Sequence, residues 1–259
     1  MDQERTFTTA LMRRIPDTYA SLYAEHTPIS LELARAQHDA YADALRRAGV
    51  QVRYVPPDPA FPDSVFVEDP AVVWPPRALL GRMAQHREGE QRAVVDALSE
   101  WCYEVVELPP GALLEGGDVL HVGNVTYVGL TGRTNRRGCA ALAEFMQPAG
   151  RRVVGVQVRE DCLHLKSVAT YLGNGTLVAA PDLVDPLAFE VEEVLPLTDE
   201  LGAANCLRVN GHLLFPAGYP NAELRLREFA AEHGVEPVRL DISEFEKGEG
   251  SLTCLCIIW

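Results

Sequence analysis

The sequence predicts an α/β fold built from about five like units closed around an axis. Three observations carry this reading. Strand and helix patterns alternate along the 259 residues. Chemically loaded residues recur at intervals of about fifty, from Glu115 to His164, Asp69 to Asp118 and Cys206 to Cys254. Each recurrence falls at the polar tip of a short apolar segment. Units of that size cannot each bury a sheet face alone, so closing them into a ring brings the polar tips together at one end.

The elements follow in order. Arg5 to Ala24 reads as a strand and then a loop around Arg13-Arg14-Ile15-Pro16. Ser30 is a good N-cap, and Leu31, Ala34, His38, Tyr41 and Leu45 repeat at helical spacing up to Gly49. His38, on the inner face, reads as a packed histidine. Gln51 to Val55 is a strand stopped by Pro56-Pro57. Phe61 to Pro70 is a strand-like apolar segment, and Arg77 to Leu80 is another. Residues 88 to 101 form a helix with Val94, Val95, Leu98 and Trp101 on one face. Tyr103 to Leu108 and Val125 to Leu130 are strands, and Thr134 caps a helix running to Met146. Val153 to Val158 is a strand. Leu163 to Ala169 is extended, with His164 and Lys166 on one side. Asn174-Gly175 and Asn210-Gly211 are hairpin turns, and Asp185-Pro186 starts a short helix. Asn221 caps a helix ending at Gly234, Val238 to Ile242 is a strand, and Leu252 to Trp259 is a final strand-like segment.

Composition narrows the function. The chain is 47% hydrophobic and 23% charged, the balance of a globular protein, and its 259 residues suffice for one large domain or two small ones. A formal net charge of −14 argues against nucleic acid and anionic membranes as partners and suits a cationic substrate. No apolar run reaches membrane-spanning length, and the charged N-terminus carries no export signal. The six cysteines, at 102, 139, 162, 206, 254 and 256, therefore read as reduced thiols in the cytoplasm.

Two stretches place carboxylates where apolar strands ordinarily avoid them. Asp63, Glu68 and Asp69 lie in Phe-Pro-Asp-Ser-Val-Phe-Val-Glu-Asp-Pro, residues 61–70, and Glu115 and Asp118 flank a Gly pair. Asp63 fits a turn, whereas Glu68-Asp69 fits one poorly. At the other end, Cys254 follows Gly248 and Gly250, which let the backbone approach a ligand closely. A buried structural cysteine, a reactive thiol, or a metal pair with Cys256 on one strand face are the readings of Cys254.

At these residues the chain resembles the guanidine-modifying (pentein) superfamily, whose fold is a five-bladed α/β propeller of ββαβ units. Within it, the chain resembles the dimethylarginine dimethylaminohydrolase family. The matches are the 61–70 segment, Glu-Gly-Gly-Asp at 115–118, Arg-Thr-Asn at 133–135 and His-Leu-Lys at 164–166. They continue with Ala-Asn-Cys at 204–206, Pro-Ala-Gly-Tyr-Pro at 216–220 and Ser-Leu-Thr-Cys at 251–254. Two departures stand out. Gly248 replaces a more usual aliphatic residue, and Glu88 replaces one of two adjacent arginines, leaving Arg87.

The resemblance implies hydrolysis of Nω-methylated arginine to citrulline and an alkylamine. It makes Cys254 the nucleophile, His164 the acid and base, and Glu115 the residue that orients His164. It implies that Asp63, Glu68 and Asp69 accept the guanidinium N–H groups and that Arg87 and Arg133 bind the substrate carboxylate. Phe66, Gly248 and the backbone of Leu22 complete the substrate contacts. Residue chemistry agrees, because a guanidinium carbon is a poor electrophile that needs a thiolate, anions around the cation and a proton for the leaving amine. No metal or organic cofactor is required, and zinc held by Cys254, Cys256 and His164 would inhibit. Cys162, Cys206 and Cys256 read as structural. The expected partner is a small cationic guanidino amino acid, and the expected assembly a monomer or homodimer. Deimination of arginine or agmatine, a binding module that kept the fold, and a thiol protease are the competing readings.

Overall fold

The computed structural model describes residues 6–22, 27–101 and 103–259. The chain enters with β1 (Thr9–Arg13), crosses through α1 (Leu31–Arg47) and returns parallel to β1 as β2 (Gln51–Val55). β3 (Ala71–Trp74) and β4 (Arg77–Leu80) form a hairpin, α2 (Arg92–Glu100) crosses over, and β5 (Glu104–Val106) pairs parallel with β4. The order repeats as β6 (Val119–Val122), β7 (Val125–Leu130), α3 (Arg136–Met146) and β8 (Arg152–Gln157). β9 (Ala169–Gly173), β10 (Thr176–Ala179) and β11 (Glu193–Pro196) follow. Then come β12 (Leu207–Val209), β13 (His212–Pro216), α4 (Pro220–Glu232) and β14 (Glu236–Leu240). A one-turn helix, α5 (Ser243–Glu246), leads to β15 (Ile257–Ile258), which pairs antiparallel with β1.

Among the described residues the strands form five three-stranded sheets. Five apolar clusters fill the seams between neighbouring sheets. Leu11 packs with Leu98, Leu79 with Leu142, and Tyr127 with Leu177. Leu172 packs with Phe215, and Leu214 with Leu45 closes the circle. The first strand of every sheet also lines a single axial cavity of about 430 Å³, through Val72, Leu120, Thr170, Leu207 and Ile257. The fold is thus a five-bladed α/β propeller, as the spacing near fifty predicts.

Local chemistry explains the elements. Ser30 Oγ accepts the Leu33 N–H at 3.3 Å, and Ala34, His38, Tyr41 and Leu45 are buried beneath α1. Asn174 and Gly175 have φ of 50° and 74°, and Asn210 and Gly211 have 42° and 84°, the left-handed pairs that tight hairpins require. His38 is packed as expected, between Tyr54 and Phe245, and burial, reinforced by Arg14, lowers its pKa to about 4.

The structure corrects several expectations. The fourth blade has no α-helix: Asp185 caps only a 3-10 turn at Pro186–Ala188, and β11 was not anticipated. That blade is accordingly short. Its first strand begins at Ala169 and that of the next blade at Leu207, whereas the others start near Ala71, Val119 and Ile257. Asn135, not Thr134, caps α3, and α4 begins at Pro220 with Asn221 already inside it. The 163–169 and 252–259 segments are not continuous strands. Leu165–Ser167 and Thr253–Leu255 are 3-10 turns, so Cys254 lies on a turn and the strand face it was to share with Cys256 does not exist. Glu68 and Asp69 lie in a turn after all, immediately before β3.

Candidate active site

The polar tips meet at one end of the ring because each sits in the turn that leads into a first strand. Asp69 precedes β3, Gly117 and Asp118 precede β6, His164 precedes β9, and Cys254 precedes β15. Their backbones are tied together. The Glu68 N–H donates to Cys254 O at 3.1 Å, and Gly116 N donates to Asp69 O at 3.1 Å.

His164 is 3% exposed, and its Nε2 lies 2.8 Å from Glu115 Oε2 and 3.8 Å from Asp69 Oδ1. Its Nδ1 is buried without a partner. Gly117 packs against that ring edge, since a Cβ there would lie 2.6 Å from Nδ1. Burial alone would lower the pKa of His164. Asp69, the Glu115 hydrogen bond and Asp118 outweigh burial and raise it to about 9. Imidazolium is therefore the neutral-pH form in the free protein. Glu115 is fixed in turn: Oε1 accepts the Ala84 N–H at 2.9 Å, and its own N–H donates to Thr134 Oγ1 at 3.2 Å. Thr134, read from sequence as a helix cap, spends its hydroxyl here.

Asp69 is 3% exposed. Oδ1 accepts from Gly117 N at 3.1 Å and Oδ2 from Arg87 Nη1 at 2.7 Å. Burial would raise its pKa, but His164, Arg87 and the Gly117 bond prevail and hold it below the ordinary carboxylate range. Cys254 is buried, and burial followed by the Glu68 and Asp69 charges pushes its thiol well up. A substrate cation placed among these carboxylates would offset the carboxylate part of that rise.

Arg87 lies elsewhere than expected. It is buried, with Nε and Nη2 bonded to the two Glu90 oxygens at 2.8 and 2.7 Å, Nη1 on Asp69 and Nη2 also on Phe66 O. Its guanidinium is spent within the fold, on Asp69 and Glu90. Arg133 remains partly exposed, with Nη1 3.5 Å from Glu115 Oε1. Glu68 is also engaged: Oε1 pairs with Lys166 and Oε2 accepts from Thr253 Oγ1 at 3.0 Å. Asp63 is the more open carboxylate, one-fifth exposed at the side chain, with Oδ2 3.7 Å from Arg87 Nε and 3.5 Å from His86. Leu22 ends the 3-10 turn of 17–21, beside residues 23–26, which lie outside the described segments.

Gly248 and Gly250 admit aromatic rings. A Cβ at Gly250 would lie 1.9 Å from Phe66 Cε1, and one at Gly248 2.8 Å from the Tyr19 hydroxyl. Phe66 therefore wedges under the loop that leads to Cys254. Sequence reasoning left two residues without a role. Asp118 accepts from Leu165 N at 2.9 Å and Thr131 Oγ1 at 2.7 Å, fixing the turn after His164. Glu90, fully buried, holds Arg87; the i,i+3 spacing was the available signal. Ligand atoms of Asp69, Glu115 and His164 lie within 4.8 Å of one another, close enough to bridge a cation. The cysteines at 139, 162, 206, 254 and 256 are free thiols, and no described helix is long and apolar enough to cross a membrane.

The family profile "N,N dimethylarginine dimethylhydrolase, eukaryotic" matches residues 6–195. An N(G),N(G)-dimethylarginine dimethylaminohydrolase of Streptomyces coelicolor is 39% identical, covering 96% of this chain and 95% of its own. The Pseudomonas aeruginosa enzyme of that name is 35% identical, covering 86% of this chain and 87% of its own. A solved structure of a P. aeruginosa dimethylarginine dimethylaminohydrolase, a Cys-to-Ser mutant complexed with citrulline, superimposes with a TM-score of 0.88 and 30% identity. The overlap covers 98% of this chain and 100% of that one.

Proposed function

The chain belongs to the dimethylarginine dimethylaminohydrolase family, and from that premise we propose that it hydrolyses Nω-methylated arginine to citrulline and an alkylamine. The observation that carries the site assignment is Asp69. It is a buried carboxylate held ionised 3.8 Å from His164 Nε2, and its charge acts on the Cys254 thiol. A cation bound there stabilises the thiolate at the moment attack requires it.

The chemistry then runs in two balanced steps. Asp69 and Asp63 accept guanidinium N–H groups, and Phe66 and Gly248 wall the site. Arg133 pairs with the substrate carboxylate, and the Leu22 carbonyl meets its amino group. As the cation binds, the Cys254 thiol gives its proton to solvent; the thiolate Sγ then bonds to the guanidinium carbon, and the carbon–nitrogen bond to the methylated amine breaks. His164, protonated at neutral pH, gives its proton to that leaving amine. A thiouronium remains on Cys254. Neutral His164 then takes a proton from water, whose oxygen bonds to the same carbon. The sulfur leaves as thiolate, the second water proton passes to solvent, and citrulline is released. Glu115 orients the ring and stabilises each imidazolium. Arg87, spent within the fold, acts as the clamp that keeps Asp69 anionic, and Glu68 acts through Lys166 and Thr253. No step calls on a metal or organic cofactor. We place the activity in one catalytic body, residues 1–259, acting in the cytoplasm as a monomer or homodimer.

Cys254→Ser tests the assignment. It is expected to keep the fold and lose turnover by at least about 10³-fold, since an alcohol is a much weaker nucleophile. Cys256→Ser is expected to keep turnover. Loss on Cys256→Ser with turnover retained in Cys254→Ser would reassign the nucleophile. Deimination is the second reading. Dimethylarginine, monomethylarginine, arginine and agmatine assayed side by side, with ammonia separated from methylamines, decide between them.

A further inference from the structure

Asn205, in the turn before β12, has no part in the chemistry above, yet it joins the two turns that do. Its side chain is 1% exposed. Oδ1 accepts the Thr253 N–H at 2.9 Å, and Nδ2 donates to Thr253 Oγ1 at 3.0 Å and to Lys166 O at 2.8 Å. Thr253 immediately precedes the nucleophile, and Lys166 lies two residues after His164. The circuit continues through Thr253 Oγ1 to Glu68 Oε2 and from Glu68 Oε1 to Lys166 Nζ. Four blades thus contribute Glu68, Lys166, Asn205 and Thr253 to one hydrogen-bonded belt, and Glu68 N closes onto Cys254 O. Glu68, Lys166 and Thr253 also line the axial cavity.

We propose that Asn205 is a positioning residue that sets the Cys254 turn in register with the His164 turn. Only a primary amide fits this point. One oxygen must face a backbone N–H while one nitrogen faces two acceptors, a carbonyl and a hydroxyl. Each turn is a single 3-10 turn; Asp118 holds the His164 turn alone, whereas the Asn205 amide bonds the backbone of both turns at once. The belt therefore supplies registry that blade packing does not. A buried network of this kind is stiff when every member is satisfied and loose when one is lost. A displacement near 1 Å between nucleophile and acid costs on the order of 10²-fold in rate.

The inference rests on Cys254 and His164 acting as described, and two readouts keep the claims separable. The first is steady-state turnover of dimethylarginine. The second is alkylation of Cys254 by 2-chloroacetamidine, followed by mass spectrometry as a function of pH, which needs no turnover. Asn205→Ala is expected to lower kcat by about 10²-fold with KM within about threefold, and to slow Cys254 alkylation by a similar factor. Asn205→Asp places a charge beside Glu68 and is expected to move the alkylation profile to higher pH as well. Asn210→Ala is the matched control. Asn210 also makes three hydrogen bonds, to Phe7 N, Phe7 O and Ala48 O, but at the far end of β12. It is expected to lower stability and leave both readouts unchanged. If Asn205→Ala does not fold, Thr253→Val cuts the same belt while keeping the side-chain shape, with the same expectation. A folded Asn205→Ala, or a folded Thr253→Val in its place, with wild-type alkylation overturns the proposal. Slowed alkylation in a protein that does not process dimethylarginine sinks the substrate assignment and leaves the positioning role standing.

Discussion

His164 faces Asp69, Glu115 and Asp118, and that company fixes both its role and its pH dependence. Its pKa of about 9 lies above the ordinary imidazole value of about 6.5. The folded protein binds a proton there that the unfolded chain gives up. The stability this contributes is fully present below about pH 6.5 and is lost as pH rises through about 9. The proposed mechanism gives the same proton to the leaving amine. A pH profile of kcat/KM is therefore expected to fall on the alkaline side near 9, and urea midpoints to drop over the same range. His164→Gly should slow turnover and remove the alkaline drop in stability. An alkaline limb near 7 would mean that the carboxylates do not hold the ring protonated. The two arginines separate just as sharply. Arg87→Met strips buried Glu90 of its ion pair and leaves Asp69 with only the Gly117 N–H and the more distant His164, a loss of about 3–5 kcal/mol read from denaturant unfolding. Arg133→Ala, at a partly exposed side chain, is expected to raise KM at least about tenfold and leave stability within about 0.5 kcal/mol. Equal stability losses in both variants would contradict this division.

At the scale of elements, helix α1, the Asn-Gly hairpins and most strands were legible because their signals are local: a cap, a 3.6 period, a φ-positive pair. The turns that carry the site were not. Leu163 to Lys166 alternates apolar and polar residues as a half-buried strand would, Leu252 to Trp259 is almost wholly apolar, and a short 3-10 turn has no periodicity of its own that separates it from either. Caps slipped for a related reason. Thr134 and Asn135 both qualify by type, and only the tertiary fold shows that Thr134 serves Glu115. Arg87 misled in the same way, since its sequence shows a cation but not the Glu90 and Asp69 that consume it. The glycines of the 248–252 loop make a test at this scale. Phe66 sits edge-on to Tyr19 at 6.0 Å and to Phe245 at 6.5 Å, so it cannot retreat from a methyl at Gly250 without disturbing both. Gly250→Ala is expected to cost about 1–3 kcal/mol and to lower kcat, because the strained loop leads directly into the Cys254 turn. Gly248→Ala meets the Tyr19 hydroxyl at 2.8 Å and Phe66 Cζ at 3.3 Å, milder contacts than at Gly250, and should cost less. Wild-type urea midpoint and kcat in Gly250→Ala would show that Phe66 has room to move.

For the whole molecule, the ring closes by pairing β1 with β15, and Cys254, the proposed nucleophile, sits on the clasp. β15 completes the first blade with Ile258 opposite Ala10 and Ile257 opposite Leu11. Beyond the strand, Trp259 N donates to Thr9 O at 2.9 Å, and Trp259 O accepts from Thr8 and Thr9. The indole packs against Trp101 and Tyr103, with centroids 6.3 and 5.7 Å away, in the seam between the first two blades. Cys254 lies three residues before this strand, so the closure that makes the ring also sets the thiol over the belt. Pairing of β1 with β15 spans almost the entire chain and carries the largest loop-closure entropy in the fold. Trp259→Ala is expected to cost about 3–5 kcal/mol through the lost burial and cavity. At about 2–4 °C per kcal/mol for a chain of this size, Tm should fall by roughly 6–20 °C. Where the variant is still folded, alkylation of Cys254 by 2-chloroacetamidine should slow, whereas a Leu187→Ala variant, changed at an exposed residue of the fourth blade, should leave Tm and labelling unchanged. A Trp259→Ala protein that melts near the wild-type temperature and labels at the wild-type rate would mean that four seams hold the ring without the clasp.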